Sequence, residues 1–118
     1  MTPEVEPFAV EATQPNPSTT VLALRGELDL FTADQVTAAL PPVPAGGRLV
    51  VDLRRLSFMD STGIRVLMSL DLRSRAEDWE LVVATIPGPV QRILDTCRIS
   101  DRIRVVGDAP LDSRPFWA

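Results

Sequence analysis

Two short apolar runs on either side of a helical segment constrain the fold more than any other feature. Residues 49–53 are Leu-Val-Val-Asp-Leu and residues 81–84 are Leu-Val-Val-Ala, so each run has the length of a strand. Nearly continuous apolar runs are typical of strands that are covered on both faces. Residues 61–76, which lie between them, predict a helix. Strand, helix and strand at this spacing predict a βαβ unit, with parallel strands and a right-handed crossover.

The segments that flank this unit extend the predicted sheet at both edges. Residues 8–12 and 19–25 predict an antiparallel hairpin, because the prolines and the asparagine between them mark a turn. Residues 103–106 predict a last strand. We therefore expect one α/β domain with a mixed, mostly parallel sheet of about four or five strands. The N-terminal strand should form an antiparallel edge, and about three or four helices should accompany the sheet.

The first helix is predicted from its boundary residues. Thr32 and Gln35 have the spacing of a capping box, and Phe31 and Val36 stand where a hydrophobic staple places its two apolar residues. Pro41 ends the helix because proline cannot donate the next helical hydrogen bond.

The last predicted helix begins near Pro89, at a first helical position that favours proline. Its apolar stripe is Val90, Ile93, Leu94 and Cys97, at i, i+3, i+4 and i+7. This stripe predicts that the single cysteine belongs to the core and is not a redox sensor.

The chain length fits one domain. With 118 residues, we expect a single domain over residues 1–118, with its core at roughly residues 8–106. Residues 107–118 are expected to form a short C-terminal tail or helix.

The composition excludes most enzyme classes. The chain has no histidine, no lysine and one cysteine. Without histidine there is no Ser-His-Asp triad and no imidazole zinc site. Without lysine there is no Walker-A or Schiff-base chemistry, and one cysteine allows neither an internal disulfide nor a thiolate cluster. We therefore expect no enzyme activity, no cofactor and no metal.

The charge of the chain argues against two kinds of partner. The net charge of −4 disfavours nucleic acid and anionic membranes, which are both polyanions. No apolar run approaches the roughly 20 residues that span a bilayer. The acidic N-terminus has no signal-peptide pattern, so we expect a cytoplasmic protein.

A polar motif follows the central strand, where open α/β sheets place their functional groups. Asp60, Ser61, Thr62 and Gly63 open the central helix. One interpretation is that Asp60 or Ser61 is simply the helix cap. However, two hydroxyls and a carboxylate exceed what one cap needs, and glycine is unfavourable in a first helical turn. A helix N-terminus also accommodates a phosphate well, so the motif predicts a functional site.

This motif and three others resemble the STAS domain of bacterial anti-sigma factor antagonists. The matching segments are Gly26-Glu-Leu-Asp29, Val51-Asp-Leu, Phe58-Met-Asp-Ser-Thr-Gly-Ile64 and Val66-Leu-Met68. The resemblance covers roughly residues 8–106. It implies an antagonist that binds an anti-sigma factor with serine kinase activity. It also implies that the kinase phosphorylates Ser61 and thereby releases the antagonist, and that a protein phosphatase restores it.

The central helix predicts a partner surface beside Ser61. Four apolar residues share one helical face and should meet the sheet: Ile64, Leu67, Met68 and Leu72. Four others fall on the opposite face: Arg65, Val66, Ser69 and Arg73. That face is either a partner contact or a plain solvated surface. Asp71 falls near the apolar stripe, so either the last turns leave the sheet or Asp71 pairs with a residue such as Arg75.

The loop after the second strand completes the predicted site. Glu27 and Asp29 should lie at the same end of the sheet as Ser61, and the resemblance assigns this loop to the binding surface. The candidate partner-binding residues are Asp60, Thr62, Gly63, Arg65, Ser69, Glu27 and Asp29.

Two other functions are alternatives to the phosphorylation switch. A STAS module that is not phosphorylated could act as a scaffold or small-ligand sensor. A hydrolase with Ser61 as nucleophile is disfavoured, because the chain has no histidine or lysine to act as the base. Within the switch, Ser61 is preferred over Thr62. The branched threonine side chain has fewer rotamers, and its hydroxyl can bond a local backbone carbonyl.

Overall fold

The computed structural model describes residues 6–107, which form one mixed sheet with helices packed on it. The elements in chain order are β1 (Ala9–Asn16), β2 (Thr19–Leu28), α1 (Ala33–Ala39), β3 (Arg48–Met59), α2 (Ser61–Glu77), β4 (Glu80–Ala84), α3 (Pro89–Thr96), a 3-10 turn (Ile99–Asp101) and β5 (Arg104–Val106). The strand order is β1-β2-β3-β4-β5, with β1 antiparallel to β2 and all other neighbours parallel. The predicted hairpin, βαβ unit and fold class are confirmed.

The strands differ in how far they pair. The β2–β3 pairing runs from Thr19 opposite Arg48 to Leu28 opposite Met59. By contrast, β4 pairs with β3 only as far as Asp52. Beyond Asp52, β1 still pairs with β2 as far as Arg25, which lies opposite Arg55 on β3. Only past Arg25 and Arg55 do β2 and β3 continue alone as a two-stranded ribbon, and this ribbon ends where α2 begins.

The helices α1, α2 and α3 pack on one face of the sheet. Their buried residues share one core cluster with alternate residues of the strands, such as Leu22 and Leu49. The intervening strand residues form a second, smaller cluster on the opposite face: Val21, Val50, Val82 and Ala84. Fully burying a leucine such as Leu22 contributes about 1.5–3 kcal/mol, so the larger cluster dominates the stability of the fold.

Ile64, Leu67 and Met68 of α2 meet the core as predicted, but Val66, which was predicted on the opposite face, also packs against it. The fully buried face of α2 differs from the predicted one. It consists of Gly63, Leu67, Leu70, Asp71 and Ser74, whereas Leu72 is 63% exposed, so its predicted place against the sheet is wrong. Gly63 and Ser74 are small buried residues, and Gly63 lets the start of the helix approach Met59 and Leu28 closely. A count of apolar residues alone gives no weight to either of them.

Asp71 is buried and paired. It is 3% exposed, and its carboxylate accepts hydrogen bonds from Arg75 at 3.3 Å and from Arg102 at 3.3 Å. The predicted pairing with Arg75 is confirmed. Arg102 precedes β5, so the same carboxylate also ties α2 to a distant part of the chain.

The first helix lies where it was predicted but is not capped as predicted. The Thr32 side chain makes no cap hydrogen bond. Its hydroxyl donates to the Glu27 carbonyl at 2.8 Å and accepts from the Asp29 N–H at 3.0 Å, so it shapes the preceding turn. Phe31 is 88% exposed, and the predicted staple with Val36 is therefore also wrong.

The prediction that Cys97 is a core residue is wrong. The helix α3 ends at Thr96, and Cys97 is exposed. Arg98 then adopts a left-handed conformation with φ of 54°, which turns the chain away from the helical direction. The i+7 position of the predicted apolar stripe therefore falls one residue beyond the end of α3. The predicted tail or helix lies almost entirely outside the described residues.

No helix within residues 6–107 has the length and apolar character needed to cross a membrane.

Candidate partner-binding and modification site

Asp60 lies between the end of β3 at Met59 and the start of α2 at Ser61. Asp60 is the N-cap, with extended backbone angles of φ −107° and ψ −167°. Its carboxylate accepts the Thr62 N–H at 2.8 Å, and its carbonyl accepts the Gly63 N–H at 3.0 Å. The predicted capping role is confirmed, and a cap of this kind is worth about 1 kcal/mol.

Ser61 is the first residue of α2, and its side chain is exposed. Its hydroxyl makes no hydrogen bond to any residue in the described part of the chain. The Asp60 carboxylate accepts the Thr62 N–H and makes no hydrogen bond to the Ser61 hydroxyl. The arrangement places an exposed hydroxyl at the positively polarised end of a helix, with no base hydrogen-bonded to it in the described part of the chain.

Thr62 occupies a different environment. Its side chain is half-buried, and its backbone N–H is held by Asp60. The expected hydrogen bond from its hydroxyl to a local carbonyl is not formed within residues 6–107, so that part of the prediction is wrong.

Gly63 is required by internal packing. A Cβ at this position would clash with the Met59 side chain, including its sulfur at 2.6 Å, and would press on Leu28 at 3.2 Å. The prediction that another group approaches the backbone at Gly63 is therefore confirmed, and that group is the Met59 side chain. Gly63 is buried and brings the start of α2 down onto the ends of β2 and β3.

The turn after β2 lies at the same end of the sheet. Leu28 pairs with Met59, and the Asp60 N–H donates to the Leu28 carbonyl at 3.4 Å. The Asp29 carboxylate accepts the Phe31 N–H at 2.9 Å and so helps to form the turn. Glu27 lies within β2, close to its end, and not in the turn as predicted. It is exposed, and its carboxylate has no ion pair with another described residue.

Three exposed apolar residues accompany these polar groups, and sequence reasoning missed all three. Leu30 is 73% exposed, Phe31 88% and Phe58 44%. Leu30 and Phe31 belong to the turn after β2, and Phe58 pairs with Glu27 across the ribbon. We call these three residues the apolar rim. Two consecutive apolar residues in a connecting turn are a sequence signal for an exposed apolar patch. The assignment of Phe31 to a hydrophobic staple left that signal unused.

One face of α2 adds an exposed polar stripe. Ser61, Arg65 and Ser69 are spaced four residues apart, and all three are exposed. Farther along, Arg73 is held by Glu77 at 2.8 Å. Arg65 forms no ion pair within the described residues. We call the apolar rim together with Glu27, Ser61, Arg65 and Ser69 the docking surface.

The side chains of the docking surface are suited to contact with another molecule. In the described range there is no group of three or more His, Cys, Asp or Glu residues that could hold a metal ion. Exposed aromatic and arginine side chains, both present here, are enriched at protein interfaces.

Comparison with known proteins identifies the family. The family model described as "Mlab, STAS domain" matches residues 11–107. The anti-sigma-B factor antagonist of Listeria monocytogenes is 34% identical over 82 residues, which cover 68% of this chain and 72% of that protein. The chain therefore belongs to the STAS-domain family of anti-sigma factor antagonists. Proteins of this family are regulatory binding proteins and not enzymes.

Solved structures share the fold. An anti-sigma factor antagonist from Mycobacterium paratuberculosis superposes with a TM-score of 0.67 at 19% identity, covering 84% of this chain and 85% of that one. Unphosphorylated SpoIIAA gives a TM-score of 0.60 at 23% identity, covering 86% and 90%. Phosphorylated SpoIIAA from Bacillus gives 0.54 at 22% identity, covering 86% and 93%. At these identities the likeness concerns the fold alone.

Proposed function

We propose that this protein is an anti-sigma factor antagonist that binds an anti-sigma factor with serine kinase activity. Phosphorylation of Ser61 by that kinase ends the binding, and a protein phosphatase restores it. The observation that carries this proposal is the exposed Ser61 hydroxyl at the first position of α2, which makes no hydrogen bond with the described residues. The relatives' names, and the two forms in which SpoIIAA has been solved, support it.

A phosphate on Ser61 would act at the interface and leave the fold intact. It adds a charge of about −1.5 to −2 and three acceptor oxygens. The N-terminus of α2 favours added negative charge, so the domain itself tolerates the phosphate. A partner surface shaped for a neutral hydroxyl would repel it. A loss of about 3 kcal/mol in binding lowers the affinity more than a hundredfold, which is enough for a switch.

The partner contact extends over the docking surface. Arg65 and Ser69 follow Ser61 along α2, Glu27 lies near the end of β2, and all three side chains are exposed polar groups. Asp60, Thr62, Gly63 and Asp29 act mainly by holding the start of α2 and the turn after β2 in shape. The apolar rim supplies anchors, because exposed aromatic residues that become buried contribute much of the energy of an interface.

Ser61 rather than Thr62 receives the phosphate in this proposal. The support is steric: the Ser61 side chain is exposed, whereas that of Thr62 is branched and half-buried. Phosphopeptide mapping after reaction with the kinase tests this choice. Thr62→Ala should still accept one phosphate, and phosphate found mainly on Thr62 would contradict the proposal.

The function is tested by identifying the partner and then reacting it with this protein. A pull-down with the unmodified protein, followed by mass spectrometry, should identify an anti-sigma factor. Incubation of the purified partner with ATP should add a single phosphate to the wild type and none to Ser61→Ala. Ser100→Ala is the matched control, since Ser100 is exposed but lies far along the chain, in the 3-10 turn. If the isolated partner binds but transfers no phosphate, the protein is instead a STAS scaffold that is not switched by this kinase.

A further inference from the structure

A pocket of about 400 Å³ lies over β1, β2 and β3 on the sheet face opposite the helices. The face follows from strand alternation: the pocket residue Ala23 lies between Leu22 and Leu24, which point into the helix-covered core. This volume lies within the range of small-molecule sites. Neither the established family membership nor the proposed switch uses this pocket.

Two arginines face each other at one side of the pocket. Arg25 on β2 and Arg55 on β3 are direct partners in the strand register, and both side chains are exposed. Like charges placed opposite each other on neighbouring strands destabilise a sheet. Neither guanidinium forms an ion pair with a described carboxylate. The pair therefore concentrates positive charge without a counter-ion from residues 6–107.

One of the two acidic residues that line the pocket, Asp52, is already bound to a third arginine. Asp52 binds Arg54 through both carboxylate oxygens, with Nε at 2.9 Å and Nη2 at 3.0 Å. The Asp52 carboxylate also accepts the Arg54 backbone N–H at 3.0 Å. A carboxylate held by three hydrogen bonds, with its side chain 14% exposed, has little capacity left for Arg25 or Arg55.

The whole lining has more cationic than anionic groups. Glu11 is the other acidic residue of the lining, so three arginines stand against two carboxylates. This local excess of positive charge occurs in a chain whose net charge is −4. Ile86, which is 38% exposed, gives the pocket an apolar wall.

We infer that this pocket binds a small molecule through an oxyanion group, a phosphate or a carboxylate, held by Arg25 and Arg55. The planar, forked guanidinium group matches both oxyanions in a two-point geometry. The apolar part of the molecule rests against Ile86. Binding also removes the repulsion between the two arginines, because the oxyanion supplies their missing counter-ion.

Titration of the ¹⁵N-labelled full chain tests the inference. The probes are inorganic phosphate and, separately, citrate, each added at constant ionic strength against sodium chloride. We expect saturable shifts of amide signals around Arg25, Arg55 and Ile86. The probe with the lower dissociation constant identifies the preferred oxyanion.

Variants decide whether the arginine pair is responsible. Arg55→Gln should weaken binding about tenfold, because it removes a charge-assisted hydrogen bond. Arg25→Gln, a second and independent variant, should do the same. Arg92→Gln is the matched control and should bind as wild type, since Arg92 is exposed on α3 and outside the pocket. Ser61→Ala should also bind normally, which separates this result from the switch.

Two outcomes would overturn the inference. One is a set of shifts that grow linearly with probe concentration, without saturation, for both phosphate and citrate. The other is saturable binding that Arg55→Gln and Arg25→Gln leave unchanged while their circular dichroism matches the wild type.

Discussion

The two ends of α2 use similar polar residues in opposite ways. At the C-terminal end, the buried Asp71 binds Arg75 and Arg102, so its carboxylate is satisfied within the chain. At the N-terminal end, Asp60 satisfies Thr62, but Ser61 is exposed and makes no hydrogen bond to a described residue. One end therefore fixes the helix to the domain, whereas the other presents the exposed hydroxyl that we propose is phosphorylated.

The apolar residues show the same contrast. Trp79, just beyond the C-terminal end of α2, is 6% exposed, and its indole N–H donates to Glu77 at 3.2 Å. Its backbone N–H donates to the Ser74 carbonyl at 3.0 Å. The apolar rim at the other end leaves its large side chains in solvent. Changes at the C-terminal end should thus alter stability, and changes at the N-terminal end should alter binding.

The largest effect is expected at Ser61. Phosphorylated protein should bind its partner more than about a hundredfold more weakly than unmodified protein. Ser61→Asp should weaken binding less, because it carries one charge and fewer oxygens. Ser61→Ala should bind as the wild type does and lose at most about 1 kcal/mol of stability. Surface plasmon resonance and urea unfolding measure the two quantities. Loss of binding by Ser61→Ala with unchanged circular dichroism would argue against the switch.

The next effect should be on stability and should come from Asp71. Asp71→Ala removes charge-assisted hydrogen bonds to two arginines, and we expect a loss of about 2–3 kcal/mol in the free energy of unfolding. Asp95→Ala is the matched control because Asp95 is an exposed aspartate on α3, and it should change stability little. Urea titration measures both variants. Partner binding by folded Asp71→Ala should equal that of the wild type. A selective binding defect would contradict the assignment of stability to the C-terminal end of α2 and of binding to its N-terminal end.

A smaller effect is expected from Phe31. Because this side chain is 88% exposed, Phe31→Ala should leave the urea midpoint unchanged. It should weaken partner binding about tenfold if the rim is buried on contact. Leu72→Ala is a control of similar character, since Leu72 is 63% exposed but lies near the C-terminal end of α2. Equal losses of affinity in the two variants would show that the apolar rim makes no specific contribution to the interface.

The smallest effect concerns acid stability. Hydrogen bonds from Arg73 and then from Trp79 hold the pKa of Glu77 below its usual value of 4.5. A lowered pKa stabilises the fold above the unfolded value, and this contribution is lost as the pH falls through the folded pKa. Glu77→Gln should therefore lose slightly less stability than the wild type when the pH is lowered past 4.5. Urea midpoints at neutral and acidic pH measure the difference, and identical pH profiles would contradict it.

Local patterns predicted most of the fold. The apolar runs of β3 and β4, the prolines beside the helices and the Asp60 cap each act within a few residues, so the sequence displays them directly. The pairing of Asp71 with Arg75 is local in the same sense. Its second partner, Arg102, lies 31 residues away and depends on how α2 and the 3-10 turn pack together.

The errors have a common physical cause. Leu72, Phe31 and Cys97 each have the spacing of a buried residue, yet all three are exposed. Spacing identifies a candidate face, but burial depends on where a helix ends and how closely it approaches its neighbours. The glycine at position 63 sets that approach for α2. The facing pair Arg25 and Arg55 was equally out of reach, because it depends on a register shift between β2 and β3.

The unequal pairing of the strands has a consequence for motion. Past Arg25 and Arg55, only β2 and β3 still pair, and two-stranded ribbons twist more strongly than sheets of many strands. Amides in this part of β3 should therefore exchange their hydrogens with solvent through local opening, faster than those of residues 48–52. Since the turn after β2 and the start of α2 stand at the tip of the ribbon, we expect the docking surface to adjust to a partner more readily than the five-stranded base of the sheet.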